Sequence, residues 1–196
     1  MSIAAMNPFM GELIQTSAPG ITCSWGQTAV YKQSPAAPSN TAVLALTTLT
    51  AQIQTITSGI TNPDVARNLI VKGAISASTG NVVIKGTDLG GNSITETIAL
   101  SGTSAVAGLK AFAAVTEIDL PVSAGSGDGV SVGVGSSLGL PYLLTENTVL
   151  MAFNNGVKEA TAPTVIPDPV NICNNTITLA SPLAGNPVSV YIIIPG

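Results

Sequence analysis

Charged side chains are scarce in this chain of 196 residues. They make up 8% of the sequence, with six basic and ten acidic residues, whereas an ordinary soluble domain carries about 25%. The surface must therefore consist mainly of uncharged polar groups and apolar atoms, which repel neighbouring copies weakly. Because contiguous uncharged patches usually mark interfaces, this scarcity predicts a protein that assembles with other subunits. The alternative is a threonine-rich β-protein with a neutral surface that serves no interface.

Histidine is absent, and cysteine occurs only twice. Without an imidazole, mechanisms that use a histidine base are excluded, and zinc loses one of its usual ligands. Cys23 and Cys173 are too few for a disulfide framework, so each is expected to be a small buried hydrophobic residue. A bridge between them requires the chain ends to meet in an oxidising compartment.

Clusters of basic residues and long apolar runs are also missing. The net charge is −4, and the six basic residues are scattered: Lys32, Arg67, Lys72, Lys85, Lys110 and Lys158. Nucleic-acid binding needs clustered Lys and Arg, so we expect no nucleic-acid partner. No apolar run reaches the roughly 18 to 20 residues that span a bilayer, so we expect no membrane partner. Residues 1–20 make a poor signal peptide, which predicts a soluble protein of intracellular origin.

Residues 1–40 are expected to form an extended N-terminal arm. Four prolines and several Gly and Ser residues interrupt this stretch, and no helical or strand period is sustained. Its large apolar residues are expected to dock on the body or on a neighbouring subunit. The candidate interface residues are Phe9, Ile14, Trp25 and Tyr31. Trp is favoured at interface centres, but packing of Trp25 on the protein's own core is an equal alternative.

Residues 41–196 are expected to form a β-rich body with at most one short helix, at its start. Apolar residues there are spaced by three and four positions, the period of an amphipathic helix: Leu46, Leu49, Ile53, Ile56 and Ile60. The many threonines favour a strand instead. The combined pattern predicts a helix over residues 41–51 and a strand over residues 52–58.

Alternating strand patterns and turn residues dominate the rest of the body. Asp88-Leu-Gly-Gly-Asn92 lies between two β-rich runs, which predicts a hairpin. The outgoing strand, Ser93–Leu100, carries Glu96 on its apolar face, where Lys85 or Arg67 is expected to pair with it unless that face meets a partner subunit. Further strands are predicted at 109–119, 129–134, 147–154, 170–180 and 187–194. This spacing predicts an antiparallel β-sandwich or barrel-like body.

Motifs for catalysis or ligand binding are weak. Asp88 and Glu96 are the only carboxylates that one hairpin would bring into range, and nothing in the sequence makes them converge as a glycosidase pair. Gly133-Val-Gly-Ser-Ser-Leu-Gly139 is similar to a dinucleotide fingerprint, but its third glycine is one position late. Asp128 lacks the alternating oxygen ligands of a calcium loop. We expect no enzyme activity, no catalytic residue, no cofactor and no metal site.

Four segments of the chain resemble structural proteins of tailed-bacteriophage heads. They are TNPDVARNLIV (61–71), GNVVIKGTDLGGNSITETI (80–98), KAFAAVTEIDLP (110–121) and GVGSSLGLP (133–141). The resemblance covers about residues 55–155. It is carried by Gly-rich and Thr-rich motifs and not by catalytic residues.

The resemblance implies a virion structural protein, a decoration or cement protein that binds and stabilises the lattice of the major capsid protein. It also implies a compact β module that forms homotrimers on the capsid surface, with arms that cross capsomer joints, made in the host cytoplasm. Two other roles stay open. One is a neck or tail component, and the other is a receptor-binding or carbohydrate-binding virion module, which the loops at 123–129 and 154–164 indicate.

Overall fold

The computed structural model describes residues 14–15, 22–23 and 26–195, with side chains described for residues 28–194. These residues form sixteen β-strands and one 3-10 turn at Ile172–Asn174, and every strand pair is antiparallel. The predicted fold class, mainly β and antiparallel, is confirmed. Over the described ranges there is no helix of the length and apolarity that a membrane span requires.

The strands follow one another closely along the chain. They are β1 Ile14–Gln15, β2 Thr22–Cys23, β3 Gly26–Gln33, β4 Ser39–Thr48, β5 Gln54–Ile56, β6 Arg67–Gly73, β7 Asn81–Thr87, β8 Ser93–Ala99, β9 Val106–Phe112, β10 Ala114–Leu120, β11 Gly129–Gly139, β12 Val149–Asn154, β13 Val157–Lys158, β14 Thr164–Ile166, β15 Thr176–Thr178 and β16 Val188–Pro195.

The first region, residues 39–134, is a β-sandwich. One sheet has the strand order β5-β10-β7-β8, and the other contains β9, β6, β11 and β4. Strand β7 shows why the sheets face each other. Its residues alternate in burial: Val82 and Ile84 are fully buried, whereas Val83 and Lys85 are only partly buried. Side chains of both sheets share one core, which includes Leu69, Ile84, Phe112, Ile118 and Val132.

The second region, residues 26–33 and 138–195, brings distant parts of the chain together. Its four-stranded sheet has the order β13-β12-β16-β3, and β16 pairs with β3 along all eight residues of each strand. The core beneath this sheet includes Tyr31, Leu140, Ile177, Val190 and Ile192. Residues 26–33, assigned to the arm from the sequence, are therefore a strand of the body, since their backbone forms a ladder with β16.

Strand β11 belongs to both regions. Val130, Val132 and Val134 lie in the core of the first region, and Leu138 lies in that of the second. One edge of β11 pairs with β6, while the other pairs first with β4 and then with β15. The register with β6 shifts between Val134 and Leu138. Such an irregularity bends a strand, which lets one strand serve two cores.

The helix predicted over residues 41–51 is wrong, because these residues belong to β4 and the loop after it. Leu46 and Ile53, two residues of the supposed apolar stripe, are 61% and 71% exposed. Threonine favours the extended backbone, and β11 supplies the hydrogen-bonding partner. Register shifts leave the neighbours Val43 and Leu44 both buried, which hides the alternation typical of a strand. The strand predicted over 52–58 is confirmed as the shorter β5.

The predicted hairpin at residues 88–92 is confirmed as β7-turn-β8. The inward face of β8 is also confirmed, since Ile98 and Leu100 are buried and Thr95 and Thr97 are exposed. The run 109–119 is two strands, β9 and β10, and the run 170–180 is a 3-10 turn followed by β15.

Candidate functional site

The carboxylates of this protein are used to hold its own loops and strands. Nine of its ten acidic residues lie in the part of the chain that the structure describes, and Glu12 lies outside it. Eight of the nine accept hydrogen bonds from this chain, namely Asp64, Asp88, Glu96, Glu117, Asp119, Asp128, Glu159 and Asp168. The ninth, Glu146, is exposed. The acidic side chains therefore mainly stabilise the fold by accepting hydrogen bonds from this chain.

Glu96 joins the two sheets of the first region. Its carboxylate accepts hydrogen bonds from the backbone N–H groups of Leu109 at 2.6 Å and Lys110 at 3.3 Å. The expected partners, Lys85 and Arg67, do not bond to it, so that prediction is wrong. Strand β9 lies at the edge of its sheet, where outward-facing N–H groups have no strand partner. The Glu96 carboxylate supplies the acceptor for two of these groups.

Asp88 shapes the hairpin turn and does not form a pair with Glu96. Its Oδ1 accepts hydrogen bonds from the backbone N–H groups of Gly90 and Asn92, both at 2.9 Å. Gly91 has a φ of 77°, a conformation that favours glycine. The carboxylate of Asp88 thus stabilises an Asx-type turn. The structure does not bring Asp88 and Glu96 together as a catalytic pair.

Arg67 is the buried charge at the junction of the two regions. Its Nε donates to the carbonyl oxygen of Gly135 at 2.7 Å, and its NH1 donates to the Ala36 carbonyl and to Asp64 Oδ1, both at 3.0 Å. Asp64 Oδ2 accepts from the N–H of Ala36 at 2.6 Å. The ion pair therefore binds both the N–H and the carbonyl oxygen of Ala36, in the loop between β3 and β4.

The groups around this ion pair are shifted in pKa. Burial raises the pKa of the Tyr31 hydroxyl to about 12, with Arg67 opposing the rise. Burial opposes the charge on Asp64, but the N–H of Ala36 and the guanidinium of Arg67 outweigh it and lower the Asp64 pKa. The neutral tyrosine and the charged aspartate are the forms that the fold favours.

Asp128 ties together loops at one end of the sandwich. Its carboxylate accepts hydrogen bonds from Ser78 Oγ and from the N–H groups of Ala124 and Gly129, the latter two at 2.8 Å. Burial opposes the charge, yet these donors lower the pKa of Asp128 below its ordinary value. With its oxygens engaged in this way, Asp128 stabilises the loop at 123–129.

Asp168 and Asn175 organise the loop before β15. Asp168 Oδ1 accepts from the N–H groups of Val170 at 2.7 Å and Asn171 at 2.8 Å, and Oδ2 accepts from Asn174 at 2.6 Å. The N–H of Asn171, then Asn174 and Val170, hold the Asp168 pKa well below its usual range. The buried amide of Asn175 accepts from the N–H groups of Leu144 and Asp168.

The outer face of the sheet β5-β10-β7-β8 carries the main surface cluster of charge. Lys85 lies within ion-pair distance of Glu117 and is 3.1 Å from Asp119 Oδ2. Thr55 donates to Asp119 at 2.7 Å, and this hydrogen bond followed by Lys85 lowers the Asp119 pKa. Glu117 and then Asp119 raise the pKa of Lys85. The charged forms of Lys85 and Asp119 are thus favoured.

The glycines that looked like a dinucleotide fingerprint lie inside β11. A Cβ on Gly133 would lie 1.7 Å from the carbonyl oxygen of Ser39, because the backbone of β4 crosses there. A Cβ on Gly135 would lie 2.2 Å from Asn68 Oδ1. These glycines let other chain segments approach the strand, and no helix follows them to bind a phosphate.

The predicted interface residues are placed unequally. Phe9 and Trp25 lie outside the described residues. Ile14 pairs with Cys23 between β1 and β2, and its side chain is not described. Tyr31 is 6% exposed and packs in the core of the second region, so its ring is not presented to a neighbour. Cys173 is buried with a free thiol, as expected of a small hydrophobic residue, and burial raises its pKa.

Several large apolar side chains are exposed where the sequence pattern did not predict exposure. Those more than 60% exposed are Leu46, Ile53, Leu109, Val157 and Val170. Leu109, on β9, shares a cleft with Ile166 on β14. The predicted helix would bury the face that carries Leu46 and Ile53. The sequence pattern therefore did not indicate that these two side chains are exposed.

The described residues contain no group of three or more Cys, Asp or Glu side chains positioned to hold a metal ion. Comparison of the chain with protein-family models, with curated proteins and with solved structures found no match.

Proposed function

We propose that this protein is a non-catalytic building block that binds other protein subunits. The observation that carries the proposal is the division of its surface. Eight carboxylates are engaged within the chain, while apolar side chains such as Leu109, Val157 and Val170 are at least 70% exposed. A charge-poor surface with exposed apolar residues suits the core of an interface, from which charged residues are depleted.

The partner that we propose is the major capsid protein of a tailed bacteriophage, with this chain as a decoration or cement protein on the lattice. The sequence resemblance, the β-rich body and the extended N-terminal arm that the sequence predicts support this role. Cementing requires no chemistry, because burial of apolar surface contributes roughly 25 cal/mol per Å² at each contact. Repetition over the lattice multiplies weak contacts. Self-association into a homotrimer belongs to the same proposal.

The test combines analytical ultracentrifugation with co-sedimentation on phage shells that lack the protein. The wild type should sediment as an oligomer and pellet with the shells. Val157→Ser, Val170→Ser and Leu109→Ser each remove an exposed apolar side chain, and Thr97→Ser is the matched control on an exposed strand position. Burial of one such side chain contributes about 1.5 to 3 kcal/mol, so at least one variant should bind about tenfold more weakly.

Two results would count against the proposal. One is a wild-type protein that stays monomeric and never pellets with shells. The other is a measurable hydrolase activity that Glu96→Gln abolishes, because that would make the chain an enzyme.

A further inference from the structure

A cleft opens beside the hairpin β12-β13. Its volume is about 570 Å³, which lies within the range of about 300 to 1,000 Å³ typical of small-molecule sites. One wall is the hairpin itself, with Asn154 and Lys158, and the other wall is the segment 180–186. The two walls are distant in sequence and adjacent in space.

Side-chain hydrogen bonds fix the two walls relative to each other. Glu159 Oε2 accepts from the backbone N–H groups of Ala180 and Ser181, both at 2.9 Å, and Oε1 accepts from Ser181 Oγ. From the hairpin, Asn154 Nδ2 donates to the carbonyl oxygen of Pro182 at 3.1 Å. The hairpin tip is a tight turn, with Asn155 at a φ of 53° and Gly156 at 75°. The cleft is therefore built in advance of any ligand.

Several polar groups in the cleft are left for a ligand. Lys158, Asn155, Thr161 and Asn186 line it, and none of their side chains makes a hydrogen bond to the described chain. Asn154 Oδ1 also lacks a hydrogen-bond partner, but it is fully buried, so a ligand in the cleft would not reach it.

The chemistry of these groups selects the ligand class. The side-chain amides of Asn155 and Asn186 each offer a donor and an acceptor, whereas Lys158 only donates. A phosphate or carboxylate offers acceptors only and would lie near the negative charge of Glu159. A cation would meet Lys158. A neutral hydroxyl both donates and accepts, so it satisfies both kinds of group.

We propose that this cleft binds a neutral, hydroxyl-rich ligand, a saccharide. The proposal goes beyond assembly on a lattice and does not depend on it. A saccharide site would place a glycan-binding function on the second region, while Leu109 and Val170, which do not line the cleft, remain available for subunit contacts.

The test is a titration of the whole ¹⁵N-labelled protein, followed by NMR, with glucose, galactose and N-acetylglucosamine at millimolar concentrations. Saturable shifts confined to residues 154–161 and 180–186 are expected with at least one sugar. Lys158→Ala should weaken binding about tenfold, because Lys158 would donate a charge-assisted hydrogen bond, and Asn186→Ala should weaken it a few-fold, because its hydrogen bond to a hydroxyl joins two neutral groups. Lys32→Ala is the matched control, because Lys32 is exposed on the opposite edge strand of the same sheet.

Three results would overturn the proposal. They are the absence of saturable shifts with all three sugars, equal weakening by Lys32→Ala, and inorganic phosphate that binds at the same residues in preference to the sugars. Co-sedimentation with shells is scored separately, so failure of the saccharide site leaves the assembly proposal standing or falling on its own result.

Discussion

The two regions of the molecule differ in how their strands are joined. In the first region one strand pair, β7-β8, is a hairpin whose turn is built by Asp88, and the most distant partners are Ser39 and Val134. In the second region β3 pairs with β16, so Gly26 lies opposite Pro195 at the far end of the chain. The pairs of the first region close shorter loops than the pairing of β3 with β16, so the first region is expected to form before the second. The regions should therefore respond differently to changes at the N-terminus.

Truncation should separate the regions most strongly. Deleting residues 1–33 removes β3 and Tyr31 from the second region but keeps Ala36, and we expect a loss on the order of 5 kcal/mol or more, the scale of a small domain's whole stability. Amides of β12 and β16 should exchange with solvent rapidly, while those of β6, β7 and β10 stay protected. Deleting only residues 1–25 should leave both sets protected. Hydrogen exchange measures both variants, and equal loss of protection in the two regions would refute the distinction.

Removing the buried charge of Arg67 at the junction between the regions should cause the next largest loss of stability. Arg67→Met removes the guanidinium that binds Gly135, Ala36 and Asp64, and loss of one partner of a buried ion pair costs about 3 to 5 kcal/mol. Urea denaturation should show this loss, and Lys32→Met, at an exposed position, should show almost none. A loss of less than about 1 kcal/mol for Arg67→Met would mean that the junction is held by apolar packing instead.

A single methyl group should disturb the first region alone. In Gly133→Ala the new Cβ would collide with the backbone of β4, and overpacking of this kind costs about 1 to 3 kcal/mol. Gly125→Ala is the control, since a Cβ there meets nothing within 4 Å. In thermal melting, Gly133→Ala should show a lower midpoint than the wild type, and Gly125→Ala should not. Equal midpoints for the two variants would contradict the crossing of β4 over β11.

The smallest effect is expected from pH. The pKa values of Asp64, Asp119, Asp128 and Asp168 lie below the ordinary 3.8. Their charged forms therefore stabilise the fold fully above that value, and this contribution is lost as the pH falls through the lower folded values. The chain has no histidine, so stability should be nearly flat between about pH 5 and 8 and decline below about pH 4.

Two substitutions assign the acid sensitivity to a region. Asp128→Asn should flatten the acid decline measured for the first region, and Asp168→Asn should flatten that of the second. Urea midpoints followed by region-specific hydrogen exchange measure both. A decline that begins near pH 6.5, or one that neither variant changes, would show that other groups control it.

The sequence predicted the local strands of the first region and missed the long-range pairing of the second. Alternation and turn residues specify the hairpin at Asp88–Asn92 because its partners are neighbours. No local pattern indicates that residues 26–33 pair with residues 188–195, so β3 was assigned to the arm. The pattern of β4 resembles that of a helix because its bulges bury the neighbours Val43 and Leu44 together.

The roles of the polar residues were harder to predict than the strands. Glu96 was identified as an exception to the apolar pattern, but its partners are backbone N–H groups, which every residue except proline has. Only the three-dimensional arrangement shows which of them face the carboxylate. The cleft beside β12-β13 was indicated only by a loop at 154–164, because its second wall, 180–186, lies elsewhere in the sequence.

The most direct test of the proposed function is an electron-microscopy map of the virion beside one that lacks this protein. The account predicts difference density on the outer surface of the capsid, repeated at equivalent lattice positions and large enough for the β body. Difference density at the neck or tail, or no difference on the shell, would contradict it.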